Sequence, residues 1–465
     1  MIDDRLERPD SGVAHPAFEG LIGVARTDIT PPVGIYARNW GAATHDVAQG
    51  IHRPLTATAV SFRTSAEEPA TVLVSLDLGW WRSYRDEWFV RHYVLENTGI
   101  ASNRLMLSFT HTHAGPVLSV ADGEKPGGEL IEPYLVQLRQ NIVEVIKAAQ
   151  DGEEGCALEW RYGKCGLAKN RDFKDPDAAR YLCGYNPKGE ADDTLLVGRI
   201  TTLAGKQSGV IVNYACHPTT LAWDNRLISP DFVGALRDVI EHDAAAGPCL
   251  FLQGASGELA PAYQYTDDVR IADAHGRELG YAVLSTLSGM NLPGKALHFN
   301  GAIESGAPLA KWNQVPSSAP TELNCHQIDV EFPLQEMPSI AAIDALLRSC
   351  TDRVTVERLN RKRLIREALG QRSSTHVPVW IWQIGGAFFI GHPNEAYSEL
   401  QSEIRAKFPN HAICVMNVVN GHFGYLPPRN LYSEDIYPVW QTPFGAGSLE
   451  HLVETCIHRL ETLAI

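Results

Sequence analysis

Nowhere does the chain carry an uncharged apolar run of about 18 residues, so the sequence predicts no integral membrane segment. Basic charge is also scarce: 40 Lys and Arg stand against 55 Asp and Glu, a formal net charge of −15 at pH 7. Nucleic-acid binding draws its affinity from a basic surface that displaces counterions, so no nucleic-acid partner is expected. Paired cysteines are missing as well. The nine, at 156, 165, 183, 216, 249, 325, 350, 414 and 456, are odd in number and scattered, with no C-x-x-C spacing. Free thiols in a reducing compartment fit that pattern better than a disulfide framework. The opening MIDDRLERPDSGVAHPAF has neither the basic n-region nor the apolar h-region of a secretory signal, and with the free thiols this sets the expectation of a cytoplasmic protein. Internal repeats and low-complexity tracts are absent too.

What remains is an ordinary globular composition, 44% hydrophobic and 20% charged over 465 residues, enough to bury a sizeable core. Strand-like and helical runs alternate. TVLVSLDLGW (71–80), RLMLSF (104–109), SGVIVNYAC (208–216), CLFLQGAS (249–256) and HAICVMNVVN (411–420) read as strands, and VPVWIWQIGGAFFIGHP (377–393) as a hairpin turning at Gly385-Gly386. Between them, SYRDEWFVRHYVLENTG closes at Gly99, YLVQLRQNIVEVIKAAQDG covers 134–152, and a third helix falls near 231–243. The alternation predicts an α/β fold, a mixed or parallel sheet core flanked by helices, in one domain over 1–465. The stretch 295–375 stands apart as an insertion: 295–335 is rich in Pro, Ser, Asn and Gly and reads as a long loop, and 339–370 as an exposed helical pair.

Candidate chemistry lies where the strands end, the place at which α/β sheets hold ligands. In SFTHTHAGP (108–116), His111 and His113 on a strand would project to one face about 7 Å apart. That spacing suits a shared metal, one metal ligand beside one substrate-facing imidazole, or two plain polar histidines. NYACHPTTL (213–221) runs a strand into His217 and a proline that stops regular pairing. IGHPNEAYSEL (390–400) sets Glu395 just past a strand, where a helix-opening carboxylate would serve equally well to offset the helix dipole. NGHFGYLPP (420–428) is a loop bearing His422 and Tyr425. Together these supply imidazoles, a carboxylate and a phenol from four strand ends.

In order along the chain, GVARTDITPPVG (23–34), SLDLG (75–79), THTHAGP (110–116), AKNRD (168–172), NYACHPTTL, HPNEAY and the Asn-Tyr-Tyr spacing from Asn420 to Tyr432 resemble the neutral (non-lysosomal) ceramidase family. These are zinc-dependent amidases that cleave an N-acyl bond. Position by position, the resemblance implies that His111, His217, Glu395 and Tyr425 hold Zn2+, that His113 shuttles a proton or donates to the attacked carbonyl, and that Arg171 orients that carbonyl. Glu258 is a second candidate proton donor. Asp77, Asn213 and Asp231 are candidates for hydrogen bonding to the ligating groups.

The chain departs from the family at two points. In GELAP (257–261), Ala260 takes the place of the serine that the family's amidases require, and Ser256 in GASGE does not make a G-x-S-x-G elbow. The immunoglobulin-like C-terminal domain of the secreted ceramidases is not seen before Ile465. The expected function is hydrolysis of a carbonyl compound by metal-activated water, with a small-molecule N-acyl amide, ceramide-like or smaller and soluble, as substrate. The alternatives are an esterase, a lactonase or another C–O hydrolase, and a binding protein that keeps the zinc without catalysis. A symmetric homo-oligomer is a common state for an enzyme of this size.

Overall fold

A strand buried along its whole length needs cover on both faces, because its side chains alternate. Thr71–Leu76 is such a strand. Its Val72, Val74 and Leu76 share one core with helices Tyr84–Thr98 and Ile131–Asp151, whereas Leu73 belongs to a different core on the opposite face. In the computed structural model, which describes residues 12–244 and 247–463, that opposite face is covered by a second sheet.

The larger sheet has eight strands, in spatial order Cys249–Gln253, Gln207–Tyr214, Thr194–Thr202, Glu154–Lys164, Ala17–Asp28, Thr56–Arg63, Thr71–Leu76 and Leu105–Phe109. It is antiparallel except at its two ends, where Gln207–Tyr214 runs parallel to Cys249–Gln253 and Thr71–Leu76 parallel to Leu105–Phe109. The smaller sheet orders Leu323–Pro333, Ser374–Ile384, Ala387–Gly391 and Ala412–Met416, the last two parallel. Period-two alternation on Ser374–Ile384 explains the stacking: Trp380, Trp382 and Ile384 meet Phe18, Phe62 and Trp160 of the larger sheet, while Val377, Val379 and Ile381 face helices Glu399–Lys407 and Ser448–Leu463. Helices Phe232–Ala244 and Val269–Ser288 cover the remaining outer face of the larger sheet. The layers therefore run helix, sheet, sheet, helix.

The mixed α/β core flanked by helices is present, and the strands and helices read from the sequence all occur, with the turn of the predicted hairpin at Gly385-Gly386. The stretch 295–335 differs from expectation. Lys295–Glu304 and Pro308–Pro316 form an exposed antiparallel hairpin, and Leu323–Pro333 pairs with Ser374–Ile384 as an edge of the smaller sheet. The hairpin's strands are largely exposed, apolar Phe299, Ile303, Leu309 and Trp312 included, so they carry no alternation to read. All nine cysteines are free. Among the described residues, no helix is long and apolar enough to cross a membrane.

Three parallel strand pairs, two in the larger sheet and one in the smaller, end on the same side of the stack, and their C-terminal loops carry the candidate chemistry. Asn420 ties the sheets together there: its Oδ1 accepts from Leu107 N at 2.8 Å and its Nδ2 donates to Leu105 O at 2.9 Å. Nearby, buried Asp77 is held by the Arg237 guanidinium and by Thr56 N at 2.8 Å. Arg237→Met would leave that carboxylate buried and unpaired, which costs about 3–5 kcal/mol. Urea unfolding should show the midpoint falling accordingly, and an unchanged midpoint would mean that water reaches Asp77.

Candidate metal centre

His111 does not sit on a strand. Leu105–Phe109 ends two residues earlier, and His111 takes a left-handed backbone conformation, φ 71°, that costs a non-glycine residue about 1–3 kcal/mol. The turn, rather than strand alternation, brings the rings of His111 and His113 to 5.0 Å between centroids. His217 joins them from the loop after Gln207–Tyr214, its ring 4.9 Å from that of His111. Nitrogens of His111, His113 and His217 all lie within 4.8 Å of one another.

Glu395 reaches this cluster from the segment that follows Ala387–Gly391 of the smaller sheet. Residues Glu395–Ala396 pair in parallel with Tyr425–Leu426, so the carboxylate and the phenol start from adjacent register positions. Glu395 Oε2 lies 2.9 Å from His217 Nε2 and 3.3 Å from His111 Nε2, and its Oε1 lies 2.8 Å from His422 Nε2. Burial alone would raise the Glu395 carboxyl; His111, His217 and His422 outweigh it and hold the group ionised well below the usual carboxylate range.

The tautomers decide what this arrangement can bind. His217 Nδ1 lies 2.7 Å from Ser256 O and His111 Nδ1 lies 2.8 Å from Gly79 O. A carbonyl oxygen can only accept, so in each ring Nδ1 carries a proton, and a neutral ring then presents a lone pair at Nε2. Both Nε2 atoms point at Glu395 Oε2, itself an acceptor, so a neutral ring meets it lone pair to lone pair. Protonating His217 would relieve the clash, but burial, with Arg171 adding to it, pushes that imidazole down to about 3, so at neutral pH it has no such proton. A cation held jointly by the three atoms removes the conflict, and imidazole, imidazole and carboxylate form a donor set that zinc takes. The residues present thus fit a bound metal ion.

Around these atoms stand the other candidates. Arg171, buried, donates from Nη2 to Tyr425 Oη at 3.1 Å and to Gly257 O at 2.7 Å, and the same nitrogen lies 3.3 Å from His217 Nε2. It is fixed in place because Ala168–Asn170 pairs with Leu259–Pro261, and Arg171 N donates to Glu258 O. His113 lies between Trp40 and Trp80, at 5.1 and 4.8 Å, and neither of its ring nitrogens has a hydrogen-bond partner. Burial, then His111 and His217, depress its basicity far below the ordinary imidazole value. Beside it is a cavity of about 20 Å³, room for about one water, lined by Trp40, His45, Trp223 and Asn225 among others.

Some expected placements differ. The Glu258 carboxyl bonds to Ser398 N and Oγ, in a site where burial raises it to about 8. Its hydrogen bonds go to the helix start at Ser398 and not to the histidines, so geometry gives its proton-donor role no support. Asp77, Asn213 and Asp231 do not touch the ligating rings. Asp77 pairs with Arg237, Asn213 donates to Leu252 O and Val415 O, and Asp231 accepts from Leu221 N and Phe232 N. Main-chain carbonyls of Gly79 and Ser256 orient the imidazoles instead. His422, present in NGHFGYLPP but given no role from sequence, is the third imidazole on Glu395.

Residues 21–252 match the family model described as neutral/alkaline non-lysosomal ceramidase, N-terminal. This stretch belongs to the neutral/alkaline non-lysosomal ceramidase family. It carries His111, His113, Arg171 and His217, whereas Glu395, His422 and Tyr425 lie beyond it. The neutral ceramidase of Pseudomonas aeruginosa is 26% identical over 258 residues, 51% of this chain and 36% of that protein, so the match spans about a third of the relative's length. Two solved structures share the fold at 18% identity: a ceramidase complexed with C2, TM-score 0.64 over 97% of this chain, and the neutral ceramidase of Pseudomonas aeruginosa, TM-score 0.63 over 96%. The match covers 75% of each of those chains.

Proposed function

We propose that the protein is a zinc-dependent hydrolase that cleaves an amide bond of an N-acyl substrate, with His111, His217, Glu395 and Tyr425 holding the metal. The observation that carries this reading is the convergence of two imidazole Nε2 atoms, each ring oriented by a main-chain carbonyl, on Glu395 Oε2. When bound, the metal supplies Lewis acidity and a nucleophile drawn from water near neutral pH.

The chain does the rest. Arg171, its charge fixed by Gly257 O and Tyr425, steadies the carbonyl oxygen as negative charge grows on it. His113, neutral and unpartnered, is free to donate a ring N–H to the attacked carbonyl. Ala260 is buried on the short strand opposite Lys169 and offers no hydroxyl where the family resemblance expects one, so esters and lactones belong in the substrate panel with amides.

The test is metal content by plasma mass spectrometry alongside turnover of that panel before and after chelation. About one zinc per chain and turnover that is lost with the metal and restored by zinc support the reading. Stoichiometric metal with no turnover of any amide, ester or lactone would favour a binding protein, and no metal would remove the centre altogether.

A further inference from the structure

The metal centre is closed to anything larger than a water. His111, Arg171, His217, Glu395 and Tyr425 are each at most 5% exposed, and the cavity beside His113 has room for about one water. An amide and its two substituents cannot pass through that space, so an element at the rim must move. The helix Arg353–Leu369 spans the rim. Its Arg361 guanidinium lies 5.5 Å from the Trp80 ring, which lies 4.8 Å from His113, 5.7 Å from His111 and 6.3 Å from His422. Its Arg358 guanidinium lies 5.3 Å from the Trp440 ring. From Trp440 the aromatic contacts lead to Tyr437 at 6.4 Å and on to Tyr425 at 5.6 Å. Its Val354 packs at Gly41, next to Trp40, whose ring is 5.1 Å from His113. One helix therefore rests on three of the walls that enclose the centre.

Little holds it there. The helix is tied to Ile340–Ser349 by Arg363, which donates to Asp344 at 2.8 Å, so the two helices form one unit. Within that unit only Ile343 and Leu369 are buried, and the contacts with the walls come mainly from charged side chains where a docked helix is ordinarily apolar. Among the described residues, no main-chain hydrogen bond joins 336–372 to the rest of the chain. One side-chain hydrogen bond does, from Arg353 to Asp46, and both of those side chains are partly exposed, where an ion pair contributes little. Arg82 adds a loose pair to Glu357 at 3.7 Å. The loops of Trp223 and Tyr265, by contrast, are joined along the main chain: Ala222 N donates to Thr266 O at 3.0 Å and Thr266 N to Thr220 O at 2.9 Å. The helical unit has a narrow base, where Leu334 N donates to Ser373 O at 2.8 Å just beyond the paired strands. A segment with few buried apolar groups and no main-chain ties opens at low cost.

We propose that the helices Ile340–Ser349 and Arg353–Leu369 form a lid on the metal centre, hinged at Leu334 and Ser373, which swings off the Trp80 and Trp440 walls to admit substrate and closes over it. Closure keeps bulk water from the charge that grows on the reacting carbonyl. The lid rests on the hydrolase reading for what it guards, but its motion is measured without turnover.

A cross-link tests it. A Cβ at Gly41, whose backbone lies outside the left-handed region, would stand 3.7 Å from Val354 Cβ, a separation that suits a disulfide. In the zinc-loaded double variant Gly41→Cys, Val354→Cys, with the bond confirmed by peptide mass spectrometry, zinc removal by dipicolinate should slow at least about tenfold relative to either single variant. Turnover should fall to background, and reductant should restore both. A second variant needs no disulfide: replacing 336–371 by a short glycine linker, which the adjoining Leu334 and Ser373 permit, should speed zinc removal at least about tenfold. An unchanged rate in the cross-linked protein overturns the proposal, and so does an unchanged rate in the shortened one. If zinc removal responds as expected while no amide, ester or lactone is turned over, the lid stands and the hydrolase reading fails. If the chain holds no metal, that reading fails too, and the rate at which diethyl pyrocarbonate modifies His111 and His217 takes the place of zinc removal: slowed by the cross-link it supports the lid, unchanged it overturns it.

Discussion

Glu395→Gln should lower zinc stoichiometry from about one per chain to a small residue and bring turnover to background, with the far-ultraviolet circular dichroism unchanged. Glutamine keeps the shape of glutamate and loses its charge. At this position the charge is the point, because Oε2 lies 2.9 and 3.3 Å from two imidazole Nε2 atoms, and a neutral amide there would no longer draw in a cation. Loss of a ligand should cost more than loss of a group behind it, for which about 10–100-fold in metal affinity is usual. His422→Ala supplies that comparison, since His422 Nε2 holds the far oxygen of Glu395 at 2.8 Å. Zinc binding should weaken by about that factor in His422→Ala and by considerably more in Glu395→Gln. Equal losses in both would make His422 itself a ligand, and full zinc content in Glu395→Gln would move the metal onto His111, His113 and His217 alone.

The contrast also shows what the sequence made legible. Each strand that ends in a candidate residue could be read from its apolar run and the glycine, proline or histidine that stops it, and this brought His111, His217, Glu395 and Tyr425 forward. Strand alternation does not bring His111 and His113 together, because it does not apply at a residue with φ 71°, and such backbone turns leave no composition signature. The groups that orient the imidazoles were invisible for a related reason. Carbonyls of Gly79 and Ser256 belong to the main chain, which every residue carries, whereas Asp77, Asn213 and Asp231 stand out by their side chains. Likewise Ser374–Ile384, apolar on both faces, reads the same whether a helix or a sheet covers it, which hid the second sheet. The Arg353–Leu369 helix reads as exposed because arginines count as polar, and only its packing shows Arg361 against Trp80.

Arg171→Met should separate metal binding from turnover. The guanidinium stands 3.3 Å from His217 Nε2, one of the atoms that would hold a cation, so its charge opposes the ion it neighbours. Removing that charge should leave zinc content at about one per chain, with affinity equal to or higher than wild type. A residue that weakens the metal site and yet is built into it, with donors on Gly257 O and Tyr425, is explained by charge that develops on the substrate during reaction. Loss of one such donor costs about 10²–10³ in kcat. KM should change much less, because the carbonyl of the bound amide carries little charge before attack. Arg171→Lys, which keeps the charge but not the fork, should recover only part of the loss. The opposite signs make the test decisive: zinc retained while kcat falls places Arg171 on the reacting carbonyl, whereas zinc and kcat lost together, with Arg171→Lys restoring both, would make it a brace for the Gly257 turn and Tyr425.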